Sequence, residues 1–131
     1  MSFTNSTYPS KIYRSFKEIE PNDFRTIIRF YEERRRTIER LEFEEYFELI
    51  LAYSNAMFEI GAYTKYTRLA TLILEESIDK NVQCFQGKDV FCQALFRKAA
   101  AHYHLLQYDK SAHLLKELIK IDPTHESAIL L

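Results

Sequence analysis

Residues 94–128, ALFRKAAAHYHLLQYDKSAHLLKELIKIDPTHESA, contain two segments of helical period broken only at Leu106-Gln107-Tyr108. Asp122-Pro123 then stops the second segment, and His125, Glu126 and Ser127 open another helix. Small residues at Ala99 and Ser111 stand where two antiparallel helices must approach closely, and Leu95, Tyr103, Leu115 and Leu118 supply bulk around them. The order of helix, tight turn, helix and punctuation is the grammar of a helical repeat. It constrains the rest of the chain to the same kind of architecture.

Composition agrees with that constraint. Only two glycines and three prolines interrupt 131 residues, so few turns are available and long helices are expected. Apolar residues make up 47% and charged residues 28%, the profile of a globular chain with a real core. A net charge of −1 provides no bulk attraction to nucleic acid or anionic lipid. No apolar run approaches the ~18 residues of a membrane span, and MSFTNSTYPS lacks the basic-then-apolar profile of an export signal. A cytoplasmic location is expected, with Cys84 and Cys92 as reduced thiols.

Residues 1–10 are polar and aperiodic and read as a loose arm, followed by one helical domain over 11–131. Ile12, Tyr13, Phe16 and Ile19 predict a short helix capped by Ser10. After Pro21, with Asn22 or Glu20 as cap, the stripe Phe24, Ile27, Ile28, Tyr31, Ile38 and Leu41 predicts a single amphipathic helix over 23–41. Its run of Arg34, Arg35 and Arg36 lies where cations suit a helix C-terminus, and Glu32 is spaced to pair with Arg36.

A helix from Glu42 or Phe43 to Ile60 follows, opened by four glutamates and closed by Gly61. Tyr63, Tyr66, Ala70, Ile73 and Ser77 predict the next over 62–79, packed antiparallel on its predecessor. KNVQCFQGK at 80–88 breaks the period and reads as the longest internal loop. Asp89 caps a helix to about Leu106, and residues 108–121 form its partner. Ala128, Ile129, Leu130 and Leu131 lack a C-cap or a charged last turn, which suggests the beginning of a truncated helix over 124–131 and a chain that continues.

The stretch from Ala94 to Pro123 resembles a tetratricopeptide repeat. Ala99 and Ser111 take its small positions, Tyr108 the aromatic opening the second helix, Leu115 the large apolar slot and Asp122-Pro123 the terminator. Leu95, Lys98, His102 and Leu118 depart from the pattern, which favours Trp, Leu, Tyr and Ala at those places. Residues 43–79 resemble a degenerate copy, with Ser54 matched to Ala99 and Tyr63 to Tyr108, and residues 89–123 are the clearer repeat. Tyr66 stands where the degenerate copy should have a small residue. The matched tyrosines lie 45 positions apart, beyond the family's ~34-residue period, and the loop around Gly87 absorbs the difference.

The resemblance implies an all-α fold of five to six helices, with antiparallel hairpins stacked as a short right-handed superhelix. It also implies a non-enzymatic scaffold that binds a peptide or partner helix in a concave groove. By resemblance that groove is lined by Ala52, Asn55, Glu59, Arg97, Ala101 and His104, with Gln93 and Lys98 at its edge. Asn55 matches one position of the basic clamp some members use on chaperone tails. Leu51 and Arg97 replace the clamp's lysine and next asparagine, which argues against that ligand.

No residue set carries enzymatic chemistry: there is no Gly-rich phosphate loop, HExxH pair or nucleophile elbow. No cofactor is expected. His102 replaces a packing aromatic and is read as structural. Self-association through the N-terminal helix or the apolar C-terminal end is the alternative, and nucleic-acid binding through Arg34, Arg35, Arg36 and Arg40 a weaker one.

Overall fold

The computed structural model describes residues 9–125, whose regular structure is helical apart from a minimal hairpin. Residues 1–8 of the expected arm over 1–10, and residues 126–131 of the helix expected over 124–131, lie outside the described residues. The chain divides between Ile60 and Gly61 into two compact units. The expected hairpin of residues 43–60 and 62–79 therefore has one helix in each unit.

The first unit begins with α1 (Lys11–Lys17), whose cap Ser10 accepts a hydrogen bond from the Tyr13 amide at 3.1 Å. Asp23, rather than Asn22 or Glu20, caps α2 (Phe24–Glu33) by accepting from the Thr26 amide. The helix expected to run unbroken to Leu41 stops at Arg34, where φ is −122°, and a short α3 (Arg35–Ile38) follows. Arg34 packs its guanidinium 4.2 Å from the Phe30 ring centroid and donates to the Phe30 carbonyl, one of the groups a helix end leaves unpaired. Ile38, on α3, is fully buried, and with α3 the described helices number seven.

The long α4 (Phe43–Glu59) carries Glu44 and Glu45 in its first turn, the favourable sign for the helix dipole. It buries Phe47, Ile50, Tyr53 and Met57, and packs against α2. Tyr31 and Tyr53 stack with centroids 4.2 Å apart and planes within 3°. Glu48 holds α1 to α4, accepting from Tyr13 Oη at 2.8 Å and Lys17 Nζ at 2.7 Å.

Gly61, at φ +82°, supplies the left-handed residue that follows α4, and the second unit begins there. In this unit α5 (Tyr63–Asp79) packs on α6 (Val90–His104), and α6 packs on α7 (Tyr108–Ile121). Cys92, Leu95 and Leu118 form a core cluster, with Leu74, Phe91, Phe96, Leu114, Leu115 and Ile119 packed around it. The small residues anticipated at the α6–α7 approach, Ala99 and Ser111, are both buried. Tyr66, bulky where the repeat pattern has a small residue, is also buried.

Residues 80–89 are more ordered than a plain loop. Cys84–Phe85 (β1) and Lys88–Asp89 (β2) pair antiparallel around Gln86 and Gly87, whose φ values of 51° and 78° give the two left-handed residues of a type I′ turn. Asp89 then caps α6 by accepting from the Cys92 amide at 2.9 Å. Burial, reinforced by the Asp89 carboxylate beside it, pushes the Cys92 thiol up to about 11, so it stays protonated and inert at neutral pH.

Candidate functional site

The α6–α7 pair carries the most distinctive surface in the second unit. Its turn is a Schellman closure: the Leu106 amide donates to the Tyr103 carbonyl at 3.0 Å and the Gln107 amide to the His102 carbonyl at 2.8 Å. The closure needs a left-handed residue after the helix, a place where glycine is usual. Here it is Leu106, at φ 63° and with 71% of its surface exposed. Tyr103 and Tyr108 flank it, 50% and 53% exposed, in an edge-to-face contact of 5.2 Å. His104 lies flat on Tyr63, with centroids 4.5 Å apart.

Behind the turn, His102 is buried as a structural histidine, its Nδ1 2.6 Å from Gln107 Oε1. An amide oxygen can only accept, so Nδ1 carries the proton and donates. This side-chain bond crosses the turn alongside the two backbone bonds. It also occupies Gln107, which precedes α7 and makes no side-chain cap to that helix.

A cleft of about 370 Å³ opens between the two helices, lined by Lys98 and His102 from α6 and by Asp109, Lys110, His113 and Leu114 from α7. Lys98 is half-buried and Lys110 exposed. Among the described residues neither ammonium has a hydrogen-bond or ion-pair partner. His113 lies 3.9 Å from Glu117, one turn further along α7. Asp109 stands in the first turn of α7, where a carboxylate complements the helix dipole.

The positions expected to line a groove fall in both units. Ala52 and Asn55 are half-buried on α4, and Glu59 is exposed at its end. On α6, Gln93 and His104 are exposed while Arg97 and Lys98 are half-buried. Ala101 is fully buried and packs inside the protein, so its side chain is not presented to a ligand. Of the eight, Lys98 alone lines the α6–α7 cleft. Asp109, Lys110, His113 and Leu114 were not anticipated; their convergence on Lys98 and His102 depends on how two helices pack, which no local pattern encodes.

The arginine run has intramolecular work in the first unit. Arg35 donates to the Tyr53 hydroxyl at 3.2 Å and lies 5.6 and 5.7 Å from the Tyr31 and Tyr53 ring centroids, while Arg34 covers Phe30. Among the described residues no group of three or more His, Cys, Asp or Glu is placed to hold a metal ion, and no helix is long and apolar enough to cross a membrane. In comparisons with known proteins, no family model, curated protein or solved structure matches this chain.

Proposed function

We propose that this chain is a non-enzymatic protein–protein interaction module, a tetratricopeptide-like scaffold that receives a peptide or partner helix. The observation that carries the reading is the tip of the α6–α7 hairpin, where Leu106, Tyr103 and Tyr108 hold large apolar surface in water. Tyrosine at a protein surface is the composition of binding hot spots, because it buries much area at small entropic cost. An exposed leucine held at a left-handed position contributes nothing evident to the fold, and contact with a partner would give it a use. The repeat-like spacing of residues 94–123 and the burial of Ala99 and Ser111 between the two helices support the same reading.

Proximity labelling with the chain fused to a labelling enzyme tests this. The expected result is a discrete set of neighbours that disappears in a Tyr103→Ala, Leu106→Ser, Tyr108→Ala variant with unchanged helical circular dichroism. Neighbours identical in parent and variant would count against the tip as the contact. A dimer by light scattering that the same variant dissociates would instead establish self-association.

A further inference from the structure

The cleft between α6 and α7 brings an apolar lining and two lysines together on one surface. Leu114 and the two imidazoles give it walls that suit an apolar group. Lys98, a half-buried residue, and exposed Lys110 also line it, and neither ammonium has a partner among the described residues. An ammonium without a counter-ion is a strong donor to any carboxylate that arrives, since charge-assisted hydrogen bonds gain strength as water is excluded.

From this charge pattern we propose that the cleft seats an acidic, amphipathic peptide segment of a partner protein. An apolar side chain rests against Leu114, and flanking carboxylates pair with Lys98 and Lys110. The proposal rests on the reading of the chain as an interaction module and specifies which partner chemistry that module selects. Asp109 bears on the choice of ligand: a carboxylate at the same rim repels a dense polyanion, whereas a peptide places its charges singly and can avoid it. The apolar walls likewise fit a side chain better than a sugar–phosphate backbone.

Selection of a random linear peptide library displayed on phage against the full chain tests the proposal. Enriched peptides should carry Asp or Glu on either side of a large apolar residue. A synthetic peptide of the leading sequence should lose about tenfold in affinity, or about 1.4 kcal/mol, in a Lys98→Met, Lys110→Gln variant. Methionine keeps the aliphatic bulk of Lys98, so packing is retained, and the same loss should follow when glutamates of the peptide are replaced by glutamine. A library that yields no ligand, or ligands without acidic residues, overturns the proposal. So does a short oligonucleotide that binds through the same lysines. Peptides that ignore the lysine variant but are lost with Tyr103→Ala, Tyr108→Ala overturn the cleft and leave the broader interaction reading standing.

Discussion

His102 donates its Nδ1 proton to the side-chain oxygen of Gln107 at 2.6 Å, joining the last turn of α6 to the residue that precedes α7. The imidazole is largely buried, so its Nδ1 proton depends on this bond. Gln107→Ala leaves a buried donor without a partner and is expected to cost about 1–3 kcal/mol. Urea denaturation should show a lower midpoint with an unchanged slope, and Gln107→Glu, which restores an acceptor, should recover most of the loss.

Leu106 occupies the left-handed position of the same turn, where an L side chain costs about 1–2 kcal/mol. Leu106→Gly removes that strain but gives back part of the gain through the greater freedom of the unfolded chain, about 0.5–1 kcal/mol. The expected outcome is a net stabilisation of about 0.5–1 kcal/mol, read as a raised thermal midpoint. Under the proposed function the stabilised variant should bind its partner less well. Stability and binding moving together in the same direction would separate this turn from the interaction.

Ser111 is 3% exposed, and its hydroxyl has no hydrogen-bond partner among the described residues. Two substitutions there should move stability in opposite directions. Ser111→Ala deletes an unpaired buried hydroxyl and should stabilise the protein by up to about 1 kcal/mol. Ser111→Leu, like Ala99→Leu, forces the helices apart and should cost about 1–3 kcal/mol. Equal midpoints for the alanine and leucine variants would mean that the position is not a packing contact.

In the first unit the Tyr53 hydroxyl donates to Glu32 at 2.8 Å and accepts from Arg35. Burial, together with the Glu32 carboxylate, pushes its ionisation up from 10 to about 12. Because the folded value is raised, the stabilisation is fully present below pH 10 and is lost as pH climbs toward about 12. Tyr53→Phe should therefore show a shallower fall in unfolding free energy across that interval. It should also lose about 0.5–1.5 kcal/mol at neutral pH from the missing hydrogen bond. A parallel alkaline profile in parent and variant would place the titration elsewhere.

Several helix boundaries in residues 43–121 were legible because an apolar stripe met a chemical stop: Gly61 after α4, Asp89 before α6, Asp122-Pro123 after α7. The break at Arg34 was not, since the stripe from Phe24 to Ile38 survives a short interruption and nothing local shows that Arg34 will turn back onto Phe30. The hairpin at Gln86-Gly87 escaped notice because glutamine is not the usual first residue of such a turn. The break at Leu106-Gln107-Tyr108 was legible from the lost period, but not that Leu106 would take the left-handed place where glycine is usual. Lys98 was singled out as a departure from the repeat pattern, but its meeting with Lys110 and His113 is a property of two packed helices. The expected groove spans α4 and α6, which belong to separate compact units.

The turn at Gln86-Gly87 has a practical corollary. Cys84 pairs with Asp89 across the base of the hairpin, and the Gln83 carbonyl accepts from the Val90 and Phe91 amides at the start of α6. The excursion thus returns to its own starting point, and its tip at Gly87 has open space around it. Extra residues spliced between Gln86 and Gly87 would lengthen a closed detour without shifting α6 along α5. That makes the tip a natural port for a fluorophore or an epitope in a chain whose other turns are tightly bonded.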